Sequence, residues 1–194
     1  VTQDITPQML LNAYANGYFP MAEHAEDAEL YWFNPRMRGV LPLALHVPRR
    51  LARFMRTHPF EITVNRAFPQ VIAGCAERES TWINARIIAL YCQLWQSGFA
   101  HSVECWRGGA LVGGIYGVAL GGAFFGESMF SRMPNASKVA LVHLAGLLRT
   151  AGYTLFDTQY MNEHIRQFGV IEITQEEYMG KLSAALGVRA GAIG

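Results

Sequence analysis

The sequence predicts an α+β domain, and three observations carry that expectation. Segments with helical spacing of apolar residues lie among segments of apolar–polar alternation, with no block of one kind alone. The middle of the chain reads as an antiparallel run, Leu111–Ala119 following His101–Trp106 across an Arg107-Gly108-Gly109 turn. Hydrophobic residues fill 51% of the 194 positions and charged residues 16%, which is enough to bury a sizeable core and excludes a disordered chain.

In chain order, Thr6-Pro7-Gln8 opens a short amphipathic helix that reaches about Asn16 and stops at Gly17. Tyr18-Phe19-Pro20 and the aromatic run 31–35 are broken by proline and read as loops. Residues 1–35 are therefore expected to form a small N-terminal domain without a core of its own, and residues 36–194 the main domain. Val40–Leu45 reads as a strand. VPRRLARFMRTHP at 47–59 reads as a helix with Pro48 at its first position, followed by a strand at Glu61–Val64. Arg66–Ala76 and Asn84–Gln96 read as helices, the second closing at Gly98. After the hairpin, Ala123–Met129 is a strand, and Asn135 or Ser137 caps a helix that runs to about Thr150 and ends at Gly152. Leu155–Gln159 is a short buried strand, Asn162–Gln167 a helical turn, and Thr174–Leu186 the last helix, with Thr174 and Glu177 offering a capping box.

The net charge of +1 conceals segregation. Residues 1–35 carry five acids (Asp4, Glu23, Glu26, Asp27, Glu29) and no Lys or Arg, whereas 36–66 carry seven arginines and one acid. Arg49, Arg53 and Arg56 fall on one helical face with Arg50 beside them, opposite Leu51, Phe54 and Met55. Such a stripe is either a solvated face or a surface for a polyanion, to which the planar arginine fork is suited. The uncharged stretch from Gly108 to Gly126 is long enough to span a bilayer, but eight of its 19 residues are glycine, so a membrane helix is not expected. No secretory pattern opens the chain, and three widely spaced cysteines (Cys75, Cys92, Cys105) suit a reducing compartment. The six histidines lack metal-ligand spacing, and no Walker A or GxGxxG motif occurs. Glu127 and Asp157 stand out as acids inside the apolar strands AFFGESMF and TLFDTQYM. A buried carboxylate is costly unless paired, and such positions are either functional or held by a partner such as Arg132 or a backbone N–H.

Several blocks together resemble the leucyl/phenylalanyl-tRNA–protein transferases of bacteria. They are GYFPM at 17–21, WFNPRMRGVLPL at 32–43, FEITVNRAFPQVIAGCA at 60–76, TWI at 81–83, LVGGIYGVALG at 111–121, GESMFSRMPNASKVALVHL at 126–144, DTQ at 157–159 and NEHIRQFG at 162–169. The resemblance implies a GNAT-like mixed sheet flanked by helices behind a small N-terminal domain. It implies transfer of Leu or Phe, less readily Met, from aminoacyl-tRNA to proteins with N-terminal Arg or Lys, which marks them for proteolysis. It also implies a cytoplasmic monomer with no cofactor, metal or membrane partner.

By the same resemblance, Asp157 and Gln159 are the catalytic pair, two apart on a strand and so on one face. Glu127 meets the acceptor, Ser128 binds substrate, and Ile115, Phe124, Leu141, Leu148 and Phe156 form the donor side-chain pocket. Trp82 stacks on the terminal adenosine, while Met21 stands where the family commonly has a second Trp. Arg36, Arg38, Arg49, Arg50, Arg53 and Arg56 contact tRNA phosphates. Three rivals remain open on sequence alone. An acetyl-CoA enzyme lacks its glycine-rich loop at 131–136. An RNA-binding module leaves Asp157 and Gln159 unexplained. A sister transferase for acidic N-termini sits poorly with Glu127.

Overall fold

A computed structural model describes residues 5–22, 30–78 and 81–194. The five acids of the first 35 residues lie outside these. The chain builds α1 (Pro7–Ala15), β1 (Phe19–Met21), β2 (Tyr31–Phe33), β3 (Met37–Leu41), α2 (Arg49–Met55), β4 (Glu61–Val64), α3 (Phe68–Ala76) and α4 (Ala85–Gln96). Then follow β5 (Ala100–Arg107), β6 (Ala110–Leu120), β7 (Ala123–Ser131), α5 (Ala136–Thr150), β8 (Leu155–Gln159), α6 (Glu163–Arg166), β9 (Ile171–Thr174) and α7 (Gln175–Leu186). This is the α+β arrangement that the sequence predicts, with the mixed sheet flanked by helices that the resemblance implies.

The main sheet has seven strands in the order β4-β5-β6-β7-β8-β3-β9. All neighbours are antiparallel except β7 and β8. A parallel pair needs a crossover, and α5 supplies it. Side chains alternate between two cores. Tyr116, Val118 and Phe125 enter the first, with residues of α1, α3, α4 and α7. Ile115, Phe124 and Phe156 enter the second, with residues of α2, α5 and α6. β6 lies buried along nearly its whole length between them. That explains an uncharged stretch long enough to span a membrane. Among the described residues no helix is long and apolar enough to cross one. Gly113 lets α5 settle on β6, because a Cβ there would lie 2.5 Å from the Cβ of Ala136.

Local chemistry places most boundaries. Thr6 caps α1 by accepting from the Met9 N–H, and Gly17 turns the chain with φ 79°. Asn84 caps α4, Asn162 caps α6 and Thr174 caps α7 through the Glu177 N–H. Gly108 and Gly109 both have positive φ, as a tight hairpin turn requires. Asn135 does precede α5, but with φ 69° and no side-chain cap bond. Other expectations differ. The aromatic segments read as loops pair as β1 and β2, with Pro20 opposite Trp32 in a two-stranded ribbon where a missing N–H is tolerated. β3 lies earlier than expected, and Pro42 follows its last residue. Pro48 precedes α2 rather than opening it. β9 has no counterpart in the sequence reading.

Candidate active site

β7 and β8 pair only where Ala123–Phe125 faces Leu155–Asp157. β7 then continues to Ser131 without that partner, so the sheet forks. Each arm carries a bulge at the base of the fork. Tyr116 and Gly117 face Ser128 and Gly126, which leaves Glu127 as the extra residue. The alternation agrees: Phe125 and Phe130 have opposite parity yet share the first core. Gly39 and Val40 face Gln159 and Asp157, which leaves Thr158 extra. Bulges re-aim side chains. Here Gln159, with φ 57°, donates from Nε2 to Glu127 Oε1 at 3.1 Å across the fork.

Asp157 is fully buried beside this pair. Arg38 donates to it from Nε at 3.0 Å and from Nη2 at 2.7 Å, and the Tyr178 hydroxyl donates at 2.7 Å. Its Oδ1 also accepts the Gln159 main-chain N–H at 2.8 Å. Arg38 is itself fully buried, donates to the Gly17 carbonyl, and lies over the rings of Phe19 and Tyr178. The expectation that Arg38 meets phosphate from the surface is therefore corrected. Its charge is consumed in fixing Asp157, which in turn fixes the backbone of Gln159.

Glu127 is partly open to the cleft and has neutral partners. Tyr14 donates to Oε1 at 2.6 Å and Tyr91 to Oε2 at 3.1 Å, and the two hydroxyls also touch each other. Burial pushes the Glu127 carboxyl up to about 7, and the charge of Asp157 adds to this. The tyrosine hydrogen bonds and the charge of Arg38 oppose the shift but do not cancel it. Both tyrosines are held protonated, chiefly by their own burial and then by the carboxylate.

The fork opens into a cleft of about 700 Å3. Leu41, Ile115, Leu141 and Phe156 make an apolar wall, while Arg78 and Trp82 stand among the lining residues outside it. Ser137 at the start of α5 and His164 on α6 also line it, 3.5 Å apart. Burial, then Lys138 and Arg78, hold His164 below its ordinary range. Arg78 pins β7 through the Met129 carbonyl. Arg132, expected as a partner for the buried acids, instead takes Glu77 in a two-pronged pair. Among the described residues no group of three or more His, Cys, Asp or Glu is placed to hold a metal ion, and the three cysteines are free.

The structure thus gathers Glu127, Ser128, Trp82, Ile115, Leu141 and Phe156 around one cleft, with Gln159 bonded to Glu127. Phe124 and Leu148 do not line it; both are fully buried in the second core. Met21 is half-buried against the first core, away from the cleft lining. Arg36, Arg49, Arg50, Arg53 and Arg56 are exposed. Sequence reasoning misses Tyr14, Tyr91, Tyr178, Arg78 and His164. For the tyrosines a signal exists, since a hydroxyl on a buried helix face needs a partner.

The chain is similar to known proteins. A family profile described as leucyl/phenylalanyl-tRNA protein transferase matches residues 40–183, and the profile of that family's N-terminal domain matches residues 3–36. A curated leucyl/phenylalanyl-tRNA–protein transferase from Phenylobacterium zucineum (strain HLK1) is 56% identical over 186 residues, covering 93% of this chain and 84% of that one. One from Dinoroseobacter shibae is 51% identical, covering 96% and 84%. Among solved structures, a ribosomal-protein-alanine N-acetyltransferase from Brucella melitensis biovar Abortus 2308 aligns with 56% of this chain and 85% of its own, at TM-score 0.41 and 14% identity. On the profile matches and the two close relatives, the chain belongs to the leucyl/phenylalanyl-tRNA–protein transferase family of aminoacyltransferases.

Proposed function

We propose that the forked cleft moves Leu or Phe, less readily Met, from aminoacyl-tRNA to the α-amine of proteins with N-terminal Arg or Lys, marking them for proteolysis. The observation that carries this is the juxtaposition, in one cleft, of an apolar wall and the Glu127–Gln159 pair. The wall of Leu41, Ile115, Leu141 and Phe156 suits an unbranched-at-β apolar donor. Such a pocket separates donors by only about 1–3 kcal/mol per methylene, so Leu, Phe and Met are accepted together. Glu127 offers a carboxylate to a cationic acceptor. Asp157 holds the main chain of Gln159, and the Gln159 amide, with Nε2 engaged by Glu127, presents its oxygen to the attacking amine. Positioning supplies much of the rate in such an aminolysis.

Trp82 at the cleft offers a face for the terminal adenosine. Exposed Arg49, Arg50, Arg53 and Arg56 on α2, with Arg36, receive tRNA phosphates. The protein works as a monomer in the cytoplasm, where charged tRNA is available. Transfer of labelled leucine from Leu-tRNA to a peptide beginning with Arg tests the reading. A matching Asp peptide and an acetyl-CoA reaction run alongside. Leucine on the Arg peptide alone is expected. Leucine on the Asp peptide overturns the acceptor assignment, and acetyl transfer overturns the donor.

A further inference from the structure

We propose that Glu127, backed by Tyr14 and Tyr91, is the proton carrier of the transfer: it takes the proton from the attacking amine and gives it to the departing ribose oxygen. This rests on the aminoacyl-transfer reading above. Three carboxylates border the cleft among the described residues, Glu77, Glu127 and Glu163. Glu77 is paired with Arg132 and Glu163 with Arg166. Glu127 alone of the three is hydrogen-bonded only by neutral groups, Tyr14, Tyr91 and Gln159. Asp157 cannot do the work, because it is fully buried and its charge is paired with that of the equally buried Arg38. The Gln159 amide can orient a proton but is too weak a base to hold one.

Counting protons gives the second argument. Glu127, Tyr14 and Tyr91 form a ring in which each is within hydrogen-bonding reach of the other two. With Glu127 ionised, only the two hydroxyl protons are available, and one side of the ring has none. A proton on the carboxyl fills it: Glu127 donates to Tyr91, Tyr91 to Tyr14, and Tyr14 back to Glu127. The trio is therefore built to receive one proton without moving any atom far, as a preorganised site should be. Its position fits as well, since the bulge that expels Glu127 from the β6–β7 register aims it at the mouth of the fork.

The step balances. The neutral amine nitrogen attacks the ester carbonyl carbon, the C–N bond forms, and the carbonyl electron pair moves to oxygen. Glu127 takes an N–H proton. As the oxyanion collapses, the carbon–ribose oxygen bond breaks and that oxygen takes the proton from Glu127. Amide and free hydroxyl leave, and the carboxylate is restored. A carboxyl titrating near 7 is matched to an α-amine whose own reference value is roughly 7.7–8.0. Burial raises this value most and Asp157 from β8 adds to it, while Tyr14 from α1, Tyr91 from α4 and Arg38 from β3 oppose the rise. Tyr116 of β6 also stands within the field of Glu127 and stays protonated.

The test is single-turnover transfer from Leu-tRNA to an Arg peptide, followed from about pH 5 to pH 9. The wild-type rate should rise through about pH 7 as Glu127 ionises, and again as the amine becomes neutral. Glu127→Gln should lower the rate constant by roughly 10²–10⁴-fold, abolish the lower limb and leave tRNA affinity intact. Tyr14→Phe removes a hydrogen bond that favours the ionised form, so it should move the lower limb to higher pH. A raised peptide KM with an unchanged rate constant and an intact limb in Glu127→Gln would show a binding role only and overturn the proposal. So would an unmoved limb in Tyr14→Phe. Wild-type protein that transfers leucine to no acceptor would instead overturn the underlying function and this inference with it.

Discussion

Asp157 is gripped by Arg38, by Tyr178 and by the Gln159 main-chain N–H, and neither charge of the ion pair reaches solvent. Breaking such a pair strands the remaining charge. Arg38→Met is expected to cost about 3–5 kcal/mol, read as a lower denaturant midpoint at constant slope. The tRNA affinity of the folded fraction should not change; a specific loss of affinity would restore Arg38 to the tRNA surface. Glu127 adds a pH dependence of stability. Its carboxyl titrates near 4.5 when unfolded and near 7 when folded. Between those values the native chain holds a proton that the unfolded chain has released, so stability falls as pH rises through the window. His101, His143 and His164, held low by burial, act in the opposite sense, so the fall is read as the difference between wild type and Glu127→Gln in urea melts at about pH 5 and pH 8; identical pH dependence in the two would remove Glu127 as its source. Glu127 and Asp157 can be read from sequence because an acid inside an apolar strand stands out. Arg38 cannot, because it is one of seven arginines in residues 36–66 and charge alone does not say which is buried.

At the level of elements, α2 has the two faces its spacing promises. Leu51 is buried, Phe54 and Met55 are half-buried, and all four arginines at 49, 50, 53 and 56 are exposed. Reversing Arg49, Arg53 and Arg56 to Glu should leave stability within about 0.5 kcal/mol, since all three side chains lie on the exposed face. It should weaken tRNA binding and lower the slope of log affinity against log salt by roughly 0.7–0.9 for each phosphate that the stripe no longer neutralises. An unchanged slope would make the stripe a solvated face. Helix ends are legible because they are written locally, in Thr6, Asn84 and Thr174. The bulges at Glu127 and Thr158 are not, because a bulge belongs to the register of two strands. The simple rule that Asp157 and Gln159 share a face therefore conceals an irregularity, an extra residue and a positive φ between register partners. β1 and β2 escape notice for a related reason: three-residue strands gain their pairing from the fold around them rather than from their own composition.

Across the whole molecule, the fork lets two cores meet at one cleft, and each contributes a different half of the site. The first core carries Tyr14 from α1 and Tyr91 from α4 up to Glu127, so the N-terminal segment supplies one of the hydrogen bonds to that carboxyl. The second core, beneath α5, supplies Leu141 and Phe156 to the apolar wall. This division makes donor choice and proton handling separable by mutation. Leu141 is almost fully buried and lines the cleft. Leu141→Ala removes wall volume at a stability cost of about 2–5 kcal/mol, so it should favour the larger donor. Competition between Phe-tRNA and Leu-tRNA should shift toward Phe by about tenfold, within what a methylene or two is worth in an apolar pocket. The pH limb assigned to Glu127 should stay where it is, because no member of its hydrogen-bonded trio belongs to that core. Tyr14→Phe should do the reverse, moving the limb and leaving donor preference alone. If either substitution moved both quantities together, the two faces of the fork would have to act as one coupled unit, and roles could not be assigned by core.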